Sequence, residues 1–142
     1  MEDWQKSFVE KLEQARGRWA KRFEETLDHA IVPVFEELGA FARSNDFNVS
    51  TPLRDEGRRS YKFELTENTY VLLVFRSTAV GEFELRCESF VPGSEPVLKK
   101  SFGRLADIDP NWARQQFQTA LHDFVETLAR DPAERFEELV VS

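Results

Sequence analysis

Trp4, Phe8, Leu12, Ala15, Trp19, Phe23, Leu27, Ala30, Val34, Leu38 and Phe41 recur every three or four residues along the first third of the chain. Such a stripe is the apolar face of an amphipathic helix. A helix over it measures about 60 Å at ~1.5 Å per residue, whereas strands of ordinary length span roughly 20 Å. The surplus predicts that the helix folds back on its own domain or reaches a partner. Its mean step, 37 residues in ten, exceeds the 3.5 residues of a left-handed coiled coil, so a long heptad zipper is not expected. Gly17 weakens the helix by about 1 kcal/mol relative to Ala. Pro33 lacks a backbone donor and collides with the carbonyl of His29 in a straight helix. Ala30-Ile31-Val32-Pro33 is therefore the expected kink, unless Pro33 opens a second helix over residues 34–41.

From Phe47 the apolar period changes to two. Phe47 and Val49 alternate with polar residues, and Pro52 with Arg54-Asp55-Glu56-Gly57-Arg58-Arg59 reads as a hairpin loop. Strands are expected over Tyr61–Leu65, Tyr70–Phe75 and Phe83–Cys87, with a shorter one from Val97 to Phe102. The links are too short for crossover helices, so the sheet is an antiparallel meander. Asp109 is a good N-cap and Pro110 a good first helical residue. Trp112, Ala113, Phe117, Ala120, Leu121, Phe124, Val125 and Leu128 follow on one face, and Asp131 with Glu134 suggests a short tail helix through Phe136 and Leu139. The expected fold is α+β in one domain of 142 residues. It comprises a long kinked N-terminal helix (1–45), a four- to five-stranded antiparallel meander (46–106), and a C-terminal helical segment (107–142) packed on one sheet face.

The formal charge of −7 argues against nucleic acid and anionic membranes as general partners. Residues 47–106 are the exception, with nine basic and eight acidic groups. Cys87 is the sole cysteine, which excludes an intrachain disulfide and four-cysteine zinc sites and favours a cytoplasmic setting. The N-terminus lacks a secretory pattern. The longest apolar run, Tyr70–Phe75, is far below the ~20 residues that span a bilayer.

No catalytic constellation, metal-ligand spacing or phosphate loop is present in the sequence, so no enzyme activity and no cofactor is expected. Cys87 alternates with core residues and reads as a small buried hydrophobe. His29 and His122 are far apart, and His122 and Asp123, as neighbours on a helix, are expected to diverge. The leading expectation is a non-catalytic interaction module that self-associates as a homodimer or homo-oligomer, or docks a protein partner. Its contacts would be Trp4, Phe8, Leu12, Trp19 and Phe23 on the helix, and Tyr70, Leu72 and Val74 on the sheet. The last three place an apolar strip between charged ladders on the even-numbered face. The alternative is an anion- or nucleic-acid-binding domain using Arg54, Arg58, Arg59, Lys99, Lys100 and Arg104.

Overall fold

A computed structural model describes residues 2–50, 53–78 and 80–130; the expected tail helix at 131–142 lies outside them. Helix α1 (Asp3–Thr26) runs through a π turn (Leu27–Ile31) into α2 (Val32–Arg43) without a break. Pro33 therefore does not divide the stripe. In the wide turn the Val32 N–H donates to the Leu27 carbonyl, five residues back. Widening the helix there relieves the crowding between the Pro33 ring and the preceding turn.

The strands are β1 (Asn48–Val49), β2 (Leu53–Asp55), β3 (Arg58–Thr66), β4 (Thr69–Ser77), β5 (Glu82–Phe90) and β6 (Val97–Arg104). The main meander is β3-β4-β5-β6, all antiparallel, and the short β1 and β2 both pair along the other edge of β3. β3 to β5 have nine residues each, about 30 Å, so they are longer than the alternation indicated. The uninterrupted helix still outruns them. The hairpin expected at 54–59 is present, but its strands run further into it than the sequence indicated, leaving Glu56-Gly57 as the turn.

The chain closes with a 3-10 turn (Leu105–Asp107) and α3 (Pro110–Ala129). Asp109 caps α3, its Oδ1 accepting from the Trp112 N–H at 2.7 Å. α2 and α3 cover the odd-numbered sheet face. Phe35 of α2 and Phe117 of α3 meet Tyr61, Phe63 and each other at ring separations of 4.7–6.1 Å. One apolar cluster continues from these rings through Phe23, Leu27, Ile31 and Val34 to Val71, Leu73, Phe75, Leu85 and Phe124. Val125 and Leu128, expected on the apolar face of α3, are exposed. The core-facing stripe of that helix is narrower than its sequence implied.

Candidate interaction surfaces

The arm formed by the first turns of α1 stands clear of the core. Trp4 is 64 % exposed and Phe8 59 %; Leu12 and Ala15 are half-buried. The Trp4 indole N–H donates to Glu2 at 2.8 Å, which fixes the ring at the tip. Trp19 marks the shoulder where the arm meets the domain. Its ring lies over Gly81, in the β4–β5 turn, and the Arg22 guanidinium sits 5.4 Å from the ring centre. Phe23 is fully buried in the core and is not available to a partner. A cleft of about 760 Å³ opens beside the shoulder between Trp19, Arg22, His29, Val80, Arg104 and Ile108.

The even-numbered sheet face offers less apolar surface than its sequence suggested. Val74 is buried, and Tyr70 and Leu72 are half-buried. Lys62 lies 4.3 Å from the Tyr70 ring centre, and Tyr70 packs on Phe90 at 4.8 Å. Long charged side chains thus cover much of the strip with their stems.

The six basic residues proposed from sequence do not form one site. Arg54 and Arg59 stand opposite each other on β2 and β3 and converge on Glu24 and Asp28 of the helix. Arg54 Nη2 donates to both Asp28 oxygens at 3.0 and 3.1 Å, and Arg59 Nη1 donates to Oδ1 at 2.7 Å. Burial pushes the Asp28 carboxyl up, but the two guanidiniums outweigh it and hold the group below its ordinary value. Arg59 is itself buried, yet hydrogen bonding to Asp28 keeps its charge favoured. This latch fastens the base of α1 to the hairpin and engages both arginines with the chain's own carboxylates. Lys99 pairs with Asp123 at 3.4 Å and Arg104 with Asp107 at 3.3 Å. Arg58 and Lys100 instead come together on the even-numbered face, beside Arg76 and Arg86, which sequence reasoning did not single out. Alternation along β3 to β6 puts all four on that face; their pairing needs the register.

A second groove, about 600 Å³, runs between α3 and β5–β6 over Leu85, Cys87, Lys99, Asp123 and Phe124. Cys87 is half-buried in it, and burial, opposed by Lys99, raises its thiol to about 11. A neutral thiol at that value is a poor nucleophile. The donor atoms of His122, Asp123 and Glu126 lie within 4.8 Å of one another, so His122 and Asp123 converge more than expected. An exposed His122–Glu126 pair one turn apart, at 3.4 Å, and the Lys99–Asp123 contact account for that grouping. No helix among the described residues is long and apolar enough to cross a membrane. Comparison with known protein families, with curated proteins and with solved structures finds no match to this chain.

Proposed function

We propose that this protein is a non-catalytic, cytoplasmic interaction module that forms a homodimer by antiparallel pairing of its N-terminal arms. The observation that carries the reading is the projecting stripe with two of its large aromatics in solvent. Its layers, Trp4, Phe8, Leu12, Ala15 and Trp19, are nearly palindromic about Leu12. An antiparallel copy therefore sets Trp4 against Trp19, Phe8 against the small Ala15, and Leu12 near the two-fold axis. A closed, isologous interface of this kind satisfies both copies at once. The repeat 4-8-12, 15-19-23 also has an eleven-residue period, which suits straight or slightly right-handed packing rather than a heptad coil.

Charge agrees with the same direction. Glu2 and Asp3 occupy the tip, whereas Arg18, Lys21 and Arg22 lie at the shoulder, so antiparallel arms bring opposite charges together. The cleft beside Trp19 lies where the partner's Trp4 indole arrives. Because the arm is short, the interface falls toward the small end of specific contacts, and a dissociation constant on the order of micromolar is expected.

Sedimentation velocity across a concentration series tests this, with wild type compared against Phe8→Glu. Deleting the whole stripe is unsuitable because Phe23 and Leu27 belong to the core. Wild type should dimerise with concentration, and the variant should stay monomeric, with an unfolding midpoint equal to that of wild type at concentrations below the dissociation constant, where both are monomers. A wild-type protein that remains monomeric at hundreds of micromolar, or a variant that dimerises equally well, would refute the reading.

A further inference from the structure

The even-numbered face of the sheet carries four cations in an arrangement that works against the fold. Arg58 of β3 stands directly opposite Arg76 of β4, and Arg86 of β5 directly opposite Lys100 of β6. Like charges facing each other destabilise an antiparallel pair. The two pairs occupy successive rows of the same face and surround a cleft of about 200 Å³ floored by Val74. One wall is Glu84, only 6 % exposed and bonded to Arg76. Two further carboxylates stand nearby. Glu88 lies 3.7 Å from Arg86, and Asp55 faces Arg58 across the β2–β3 pairing.

Those carboxylates leave the cluster short of negative charge. Among the described residues Arg58 and Lys100 make no ion pair closer than 4.0 Å. Arg86 Nε is buried without a hydrogen-bond partner. On a chain whose net charge is −7, this cleft is a local reversal of sign. Beside it, on the row that holds Arg58, Arg76 and Glu84, Phe102 of β6 is 70 % exposed.

We propose that the cleft formed by Arg58, Arg76, Arg86 and Lys100 binds the phosphoryl group of a nucleoside monophosphate, with the base stacked on Phe102. Guanidinium groups match phosphate oxygens with paired, charge-assisted hydrogen bonds. A bound dianion also offsets the repulsion within both cross-strand pairs. An exposed aromatic next to a cationic cleft gives a base a face on which to stack. The site uses none of the arm residues, so it stands or falls separately from dimerisation.

The test follows the Arg86 Nε–Hε signal by NMR while wild-type protein is titrated with AMP, inorganic phosphate, adenosine, or sodium chloride at matched ionic strength. A saturable shift is expected with AMP and, more weakly, with phosphate; adenosine and chloride should give none. Arg58→Gln and Lys100→Gln remove cations that support no ion pair among the described residues. Each should weaken AMP binding about tenfold and leave the unfolding midpoint of the free protein unchanged or raised. Phe102→Ala should bring AMP affinity down to that of phosphate. A shift that never saturates, a response matched by chloride, or undiminished AMP binding in both cation variants overturns the phosphoryl site. Equal affinity of wild type for AMP and phosphate overturns the role of Phe102.

Discussion

Replacing Gly81 by alanine probes the joint between arm and domain at a single atom. Gly81 has φ +82°, and an added Cβ would stand 2.8 Å from two ring carbons of Trp19, whereas ordinary contact begins near 3.4 Å. Two costs arise. The backbone conformation disfavours any L side chain by about 1–2 kcal/mol. The ring must also retreat by at least half an ångström, and overpacking of this kind costs about 1–3 kcal/mol. Because Trp19 is only half-buried and can yield toward solvent, the lower part of that range applies. The total expected for Gly81→Ala is about 2–3 kcal/mol, or roughly 6–10 °C in the unfolding midpoint of a chain this long.

Thermal unfolding by circular dichroism of wild type, Gly81→Ala, Trp19→Ala and the double variant separates the two costs. With Trp19 removed, Gly81→Ala should retain the backbone cost and lose the steric one, giving a coupling of about 1 kcal/mol. An identical effect of Gly81→Ala in both backgrounds would show that the ring does not rest on this turn. A loss below about 0.5 kcal/mol would refute the backbone cost as well.

The latch at the base of α1 predicts that Arg59→Met destabilises by about 1–3 kcal/mol in chemical denaturation. That is less than the 3–5 kcal/mol of a wholly buried pair, because Glu24 and Asp28 keep access to water. Acid should dissolve the same latch. With the folded Asp28 carboxyl below its ordinary 3.8, the unfolded chain takes up the proton first as pH falls. The contribution is therefore intact above about pH 4 and lost as pH drops through the lower folded value. Asp28→Asn should remove this component of the acid-unfolding curve, and an unchanged curve would deny the pairing. Cys87, with its thiol at about 11, should react with a neutral thiol reagent at pH 7 about two orders of magnitude more slowly than an exposed cysteine. Native-state labelling at the rate of free cysteine would contradict its burial.

Much of the fold is legible from periodicity alone. The alternation through Tyr61, Phe63, Val71, Leu73, Phe75, Phe83 and Leu85 marks the face that α2 and α3 bury, and Asp109-Pro110 marks the start of α3. Pro33 is less legible, because sequence identifies the clash but not which relief the helix takes. The arginines are less legible still. Residues 54–59 read as a hairpin loop, and only the register, with Arg54 opposite Arg59 and the turn confined to Glu56-Gly57, turns Arg59 inward. The parity of Tyr61 and Phe63 extends to Arg59, and Glu24 with Asp28 supplies two acids one turn apart. Those two signals together indicate the latch. The cleft of Arg58, Arg76, Arg86 and Lys100 joins strands distant in sequence, so only the register brings it together.

The π turn also sets the phase at which the arm leaves the domain. Residues in a regular helix advance by 100° each, and a turn widened by one residue throws the upstream helix out of phase with α2. A chain one residue shorter between Thr26 and Val32 would return the Pro33 ring to its clash and turn the upstream helix by about 100° around the axis. Phe23 would leave the core, and Glu24 would swing away from Arg54 and Arg59. One extra residue thus lets a single rod keep two faces engaged at once, Val34 and Phe35 in the core under α2 and Phe23 with Glu24 at the base of the arm.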